Sequence, residues 1–430
     1  MVLIIVGGDL GACYAAHEFR KLVRREGVIL VADSAHVGYA RTLLPYYAAG
    51  LVKSPVLIGK GTLSIADLIK VVPKSSFELT PDGEAKIGGG SYASPRILFS
   101  LWPSLRERGV VDLLTPEDAE LLREKMEEGR RVIVIGGCAA LLVVDAMLRA
   151  GAEVQLAWGC DCFDDDIASM IAEDLRRLSV KIVEVPRSAQ DAVIVNYGWG
   201  SAPNFPQLGL RGTKVRVDSG CKVAGQTRDI YAIGLATEVV EPEGVMHSVE
   251  SEEEVLIQAL NFASAAVGMR VPAVRRYAVV RLGERVYASM GLTQKELESM
   301  GVECSTTRVR GWGVYKDVVV KAIASREGTL LGVQVAVDAE HSAVIGLLYF
   351  AVATRAHLSE ISRVLSPLDP LEPSLGDPFG KAFKALHRKV ALRPEAKRAQ
   401  RAPPLPTSDG ESDAPLSTLP TEMQRTDGAC

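Results

Sequence analysis

Two stretches of the chain repeat one pattern. Val2 to Val6 is a continuous apolar run that ends in Gly7-Gly8, then a helical spacing of apolar positions continues to Arg25, and a second apolar run covers Val28 to Ala32. Arg131 to Ile135 likewise runs into Gly136-Gly137, followed by a helical pattern over Ala139 to Ala150 and an apolar run at Ala152 to Ala157. Strands buried on both faces read as unbroken apolar runs. Each stretch is therefore strand, glycine turn, helix, strand, the opening of a doubly wound α/β domain. Ala192 to Asn196 and Ile230 to Ile233 are further buried-strand candidates, each followed by a glycine. From about Arg270 the texture changes. Tyr277 to Leu282, Val318 to Ala324 and Gly332 to Val337 carry β-branched residues at strand spacing, and Ala343 to Ala353 and Leu358 to Val364 predict helices. This is a separate α+β module. Beyond Leu392 the chain is rich in Pro, Ser, Thr and Arg without apolar periodicity, which predicts a disordered tail.

The 430 residues allow two to four domains at roughly 100–200 residues each. Apolar residues make up 47% and charged residues 24%, with 49 basic against 53 acidic side chains. That near balance lacks the electrostatic footprint of a nucleic-acid or anionic-membrane partner. The longest apolar run, Ala343 to Ala353, is too short to span about 30 Å of hydrocarbon. Asp9 follows the first apolar run at once, without a basic segment before it, so Met1 to Val6 reads as a first strand rather than a signal peptide. Seven scattered Cys do not make a disulfide framework, and the expected compartment is a reducing cytoplasm. Only three Asn occur, which accords with selection against thermolabile amides.

Four segments in order give the chain a family resemblance. They are Val37-Gly38-Tyr39-Ala40-Arg41-Thr42-Leu43-Leu44-Pro45-Tyr46-Tyr47, Gly200-Ser201-Ala202-Pro203-Asn204, Asp229-Ile230-Tyr231-Ala232-Ile233-Gly234, and a late set, Val286 to Thr293 with Leu331-Gly332-Val333-Gln334 and Asp377-Pro378. Their order and spacing resemble the FAD-dependent pyridine nucleotide-disulfide oxidoreductases, in the branch of coenzyme A-disulfide reductases and NADH oxidases. The resemblance spans nearly everything up to about residue 388. It implies two Rossmann-like FAD- and NAD(P)-binding-type domains and a C-terminal α+β dimerisation domain. The implied boundaries are 1–105 with 214–270 for the discontinuous FAD-type domain, 106–213 for the NAD(P)-type domain, 271–388 for dimerisation and 389–430 for the tail.

The chemistry positions depart from the family. In a dinucleotide turn the second glycine lets the backbone approach the pyrophosphate and the third allows close helix packing. The first turn reads Gly7-Gly8-Asp9-Leu10-Gly11-Ala12, which puts a carboxylate where two phosphate charges would lie. The ribose-binding acid falls on Ala32, with Asp33 beside it but directed to the other side of a strand. The redox-cysteine position is Thr42, whose hydroxyl cannot exchange with a disulfide. Leu98-Phe99-Ser100 replaces the stretch against the flavin, and Leu235 follows Gly234 where an Asp should orient the cofactor. The second turn reads Gly136-Gly137-Cys138-Ala139-Ala140-Leu141, and Trp158 takes the place of its ribose acid. Gly7, Gly8, Gly11, Asp33 and Gly234 remain as a residual FAD site, and Gly136 and Gly137 as a residual NAD site.

Scaffold retained and chemistry lost predict a degenerate member. By resemblance it is an FAD-dependent NAD(P)H oxidoreductase; by its motifs it is inactive, with no catalytic residue, FAD weakly held or absent, and no NAD(P)H expected. Its expected role is a non-catalytic subunit that forms a homodimer through the C-terminal domain, or a heterodimer with an intact relative. The alternatives are a divergent flavoprotein moving electrons from NAD(P)H through FAD without a cysteine, and a binding protein that uses the old cleft. Other side chains carry bland readings. Cys160 and Cys162 read as incidental, Cys13 as a small buried residue of the first helix, and Asp164-Asp165-Asp166 as an acidic helix start. Glu250, Glu252, Glu253 and Glu254 read as a solvated helix start, and the six His form no ligand set, so no metal is expected.

Overall fold

The computed structural model describes residues 2–59, 61, 63, 69–80, 82–93, 95–128, 131–159, 162–185, 191–201, 214–240, 246–273, 275–312, 315–363 and 377–392. Met1–Val390 form one compact unit and Ala391–Cys430 a second, of which Ala391 and Leu392 alone are described.

The chain opens with β1 (Val2–Val6), α1 (Leu10–Leu22), β2 (Gly27–Val31), α2 (Leu44–Ala48) and β3 (Lys70–Val72). A small antiparallel sheet of β4 (Phe77–Leu79), β5 (Ala85–Ile87) and β6 (Gly90–Tyr92) follows, and the chain returns as β7 (Arg96–Ser100). A second α/β segment holds β8 (Val110–Asp112), α3 (Pro116–Glu128), β9 (Arg131–Gly136), α4 (Ala140–Arg149), β10 (Glu153–Trp158), α5 (Asp165–Arg177), β11 (Lys181–Ile182) and β12 (Val193–Tyr197). Then come β13 (Val215–Val217), β14 (Ile230–Ile233), β15 (Thr237–Val240), β16 (Met246–Ser248) and α6 (Glu252–Ala265). The last module holds β17 (Tyr277–Leu282), β18 (Arg285–Gly291), α7 (Gln294–Ser299), β19 (Cys304–Arg310), β20 (Val319–Ser325), β21 (Leu330–Asp338), α8 (Val344–Ala353), α9 (Leu358–Ile361) and α10 (Pro378–Ala391).

Two parallel sheets have the orders β14-β7-β1-β2-β3 and β11-β10-β9-β12-β8, and the last module has an antiparallel sheet, β17-β18-β21-β20-β19. The strand order reverses between β1 and β7 in the first parallel sheet and between β9 and β12 in the second. This is the doubly wound plan read from the two apolar-glycine-helix repeats, with β14 joining the first sheet from far along the chain. Two expected boundaries move. Helix α1 stops at Leu22 rather than Arg25, because the Arg20 guanidinium gathers the carbonyls of Val23, Arg24 and Glu26 and turns the chain toward β2. Helix α10 runs to Ala391, past the expected start of the tail at 389, with Phe379, Phe383, Leu386 and Val390 buried on one face.

Buried polar groups join the modules. Asp145 on α4 accepts from the Tyr46 hydroxyl of α2 at 2.9 Å and from the backbone of Gly283, in the β17–β18 turn, at 2.8 Å. Asp164, the N-cap of α5, is buried rather than solvated. It accepts from the Gln334 amide of β21 at 3.1 Å and pairs with Lys321 of β20 at 2.9 Å.

Helix α8 is apolar on every side, as its sequence says, and the sheet covers part of it. Val344, Ile345, Leu348 and Val352 are buried, whereas Leu347 and Phe350 are 65% and 66% exposed.

Gly234, at the end of β14, fixes how that strand leaves the first sheet. Its φ is +111°, and a Cβ there would lie 2.1 Å from the Leu101 carbonyl oxygen. That carbonyl already accepts from the Ala236 amide at 3.1 Å. Substitution Gly234→Ala combines a disfavoured backbone region with a backbone clash, so urea unfolding is expected to show a loss of at least about 2 kcal/mol. An unchanged midpoint would refute this account of the strand exit.

Candidate functional site

In an open α/β sheet, ligands bind beyond the carboxyl ends of the strands, where the strand order reverses. In the first sheet that point lies between β1 and β7, and side chains of this chain fill it. Asp9, just after β1, is fully buried. One of its carboxylate oxygens accepts from the Ala12 amide at 2.9 Å and so caps α1. The other accepts from the Ser100 hydroxyl, at the end of β7, at 2.7 Å, and from the Arg41 Nε and Nη2 at 3.3 and 3.1 Å. The Arg41 guanidinium is 4.4 Å from the centre of the Trp102 ring and 5.6 Å from that of Tyr39, and its Nη1 donates to the Leu114 carbonyl. Burial works against this cation, yet the Asp9 carboxylate that it meets holds its pKa above the ordinary arginine value. Burial pushes the Tyr39 phenol well up, so it stays neutral.

The segment after β2 carries Thr42, and α6 reaches over to hold it. Glu252, in the first turn of α6, accepts from the backbone amides of Arg41 and Thr42 at 2.8 and 3.0 Å and from the Thr42 hydroxyl at 2.6 Å. Its carboxyl is raised above the usual range by burial, an effect that the Thr42 bonds oppose. The reading of Glu252 and Glu254 as solvated fails: they are 5% and 0% exposed. Glu254 faces His247 at 3.1 Å. The cause is the packing of α6 on α1, so close that a Cβ on Gly11 would lie 2.5 Å from Val255 Cγ1. The cavity left between Thr42, Trp102, Tyr197, Leu235 and Glu252 is about 10 Å³. A wider groove of about 350 Å³ opens on the other side of Thr42, lined by Tyr46, Leu142, Glu253, Tyr277 and Arg281 among others.

The second turn differs. Gly136 and Gly137 lie at the expected place, but Cys138 is disulfide-bonded to Cys162, beyond β10. The expectation that Cys162 is incidental is therefore corrected. A pair 24 residues apart carries no local signal, and the βαβ unit alone brings the two together. Cys160 lies outside the described residues. Leu141 is fully buried in the core, and Trp158 is half-buried.

Of the expected residues, Gly7, Gly8, Gly11 and Thr42 gather around the Asp9–Arg41 pair. Asp33 is exposed, and its charge acts on Arg41 and Tyr39 through space, with no ribose-holding place in the site. Gly234 stands behind, its amide donating to the Gln258 side chain at 2.9 Å. Cys13 is buried, and burial pushes its thiol pKa far up, which suits a packing residue. Arg41, Tyr39, Trp102 and Glu252 were not singled out by their sequence positions. Arg41 had one available signal, since an Asp in a glycine position needs a buried cation. Asp338, Glu340 and His341 bring ligand atoms within 4.8 Å of one another at a partly exposed site before α8, an arrangement common in surface acids without a metal.

No family model matches the sequence, and no curated protein matches it. Solved structures do. A NAD-dependent persulfide reductase from A. fulgidus superposes with a TM-score of 0.76 at 20% identity, covering 90% of this chain and 83% of that one. The reduced CoADR-RHD of Bacillus anthracis gives 0.76 at 18%, covering 90% and 80%. A pyridine nucleotide-disulfide family oxidoreductase from Enterococcus faecalis V583 gives 0.70 at 15%, covering 91% and 100%. The chain thus has the fold of the pyridine nucleotide-disulfide oxidoreductases: two dinucleotide-type α/β domains and a C-terminal α+β domain.

Removing one partner of a buried pair strands the other charge. Asp9→Ala is expected to cost about 3–5 kcal/mol in chemical unfolding, and the double change Asp9→Ala with Arg41→Met to recover much of it. Additive losses in the double variant would show that the two side chains do not act as a pair.

Proposed function

We propose that this chain is a cytoplasmic, non-catalytic dimeric subunit built on the oxidoreductase scaffold, whose first dinucleotide cleft is occupied by its own side chains. The observation that carries this reading is the Asp9–Arg41–Ser100 network at the switch point of the first sheet. A dinucleotide pyrophosphate binds there through the helix N-terminal amides. Asp9 already accepts from one of them and adds negative charge of its own. FAD does not fit this arrangement. Thr42 supplies no thiolate, and its hydroxyl is engaged by Glu252. The wide groove beside Thr42 favours one second reading, a small-ligand binding protein, because Glu253, Tyr277 and Arg281 there mix polar groups with apolar walls.

Each lost phosphate or ribitol contact is worth about 1.5–3 kcal/mol. Two such losses weaken binding roughly a thousandfold. The purified full-length protein is therefore expected to be colourless, with no flavin in its visible spectrum and none released on denaturation. Stoichiometric FAD in the purified protein would sink the proposal.

The dimer rests on α8. Burying Leu347 and Phe350 against a two-fold copy removes the largest apolar side chains that this helix leaves in water. Sedimentation equilibrium at micromolar concentration is expected to give a dimer, and Leu347→Asp with Phe350→Asp a monomer. An intact chain that stays monomeric defeats the homodimer and directs the search to an intact relative as partner.

A further inference from the structure

The wide groove beside Thr42 holds a carboxylate that no cation answers. Its volume of about 350 Å³ falls near the lower end of the roughly 300–1,000 Å³ range of small-molecule sites. Three acids stand in the first turn of α6, and two of them are committed. Glu252 takes the amides of Arg41 and Thr42, and Glu254 takes the amide of Glu250 and faces His247. Glu253 is the one that lines the groove. It is half-buried, and among the described residues no cation lies within ion-pair distance of it. Burial pushes its carboxyl above the usual range, an effect that its own backbone amide and the Ser251 hydroxyl oppose. A carboxylate partly withdrawn from water is costly to leave without a cation.

The other polar groups around it are occupied. The Thr42 hydroxyl donates to Glu252 at 2.6 Å, that of Tyr46 to Asp145 at 2.9 Å, and that of Ser342 to the Ala339 carbonyl at 2.7 Å. Arg281 donates to the Gly283 carbonyl at 2.9 Å and pairs with Glu284 at 3.6 Å, with 42% of its side chain exposed. Burial and then the nearby Glu253 charge raise the Tyr277 phenol, so it stays neutral, and its ring centre lies 4.5 Å from that of Tyr349. Leu43, Leu142, Val279, Val286 and Ile345 supply apolar walls.

We propose that this groove binds a lipophilic primary amine, its ammonium on the Glu253 carboxylate beside the Tyr277 ring and its hydrocarbon part against the aliphatic wall. This rests on the reading of the groove as a small-ligand site and names the ligand's class. An ammonium gains a charge-assisted hydrogen bond from Glu253 and the attraction of an aromatic face, neither of which a neutral ligand of the same shape obtains. An acid would meet the Glu253 charge, and the one cation lining the groove, Arg281, is already answered by Glu284.

Isothermal titration calorimetry of the full-length protein at neutral pH is the test, with phenethylamine, phenethyl alcohol and hydrocinnamate as probes of similar shape and different charge. Phenethylamine should bind saturably, and the alcohol should bind roughly tenfold more weakly, as the loss of a charge-assisted bond dictates. Hydrocinnamate should give no binding heat. Glu253→Gln should weaken the amine by a similar factor and leave the alcohol unchanged, a pattern that a damaged fold would not give. If none of the three probes binds, the groove is not a ligand site and the reading beneath this proposal fails with it. If the alcohol or the acid binds as tightly as the amine, the groove remains a site and the amine assignment alone is overturned. Unchanged amine affinity in a folded Glu253→Gln protein overturns it too. The three probes on the unaltered protein decide the matter even if the variant fails to fold.

Discussion

A buried charge must be answered, and in this chain the first domain is organised around that requirement. Asp9 sits at the amino end of α1 with no exposure to water. The ordinary solution for a buried carboxylate is a cation with good geometry and hydrogen bonds for the remaining lone pairs. Arg41, the Ser100 hydroxyl and the Ala12 amide provide that solution. Arg41 must then reach Asp9 with its guanidinium over the Trp102 ring, which fixes the course of the segment after β2. Glu252 takes the backbone amides of that segment, which draws the start of α6 inward. One substitution in a glycine turn thus has consequences through four segments distant in sequence.

The same logic separates scaffold from chemistry. The parallel sheets need only apolar strands, glycine turns and helices of the right length, and all of these are present. Cofactor binding needs particular atoms at the strand ends, and at the ends of β1 and β7 this chain carries the Asp9–Arg41–Ser100 network. In the second domain a covalent bond takes a position of the same kind. Both features lie beyond the carboxyl ends of parallel strands, the first between β1 and β7 and the second between β9 and β10.

The modules are held to one another by polar anchors rather than by a shared apolar surface alone. Asp145 joins α2, α4 and the β17–β18 turn, and Asp164 joins the start of α5 to β20 and β21. Each carboxylate has several donors, so losing one leaves the rest engaged. Such anchors fix the angle between modules because hydrogen bonds are directional, whereas apolar contact tolerates sliding.

The sequence by itself determined the two doubly wound repeats, the change to an α+β module near residue 270, and the positions where residue types depart from the family's motifs. These are local signals: apolar runs, glycine pairs and residue types at fixed offsets. It also exposed the problem of Asp9, a carboxylate in a glycine position. What it did not contain was the answer to that problem. Arg41 is 32 residues away and Glu252 lies more than 200 residues beyond Arg41, so no spacing rule links them. The run Glu250 to Glu254 reads as solvated because acidic residues usually are, and it is the packing of α6 on α1 that buries two of them. Cys138 and Cys162 are likewise brought together only by the crossover from β9 through α4 to β10. Local pattern fixes which elements form; long-range packing decides which buried charge meets which partner, because that depends on where the strands end in space.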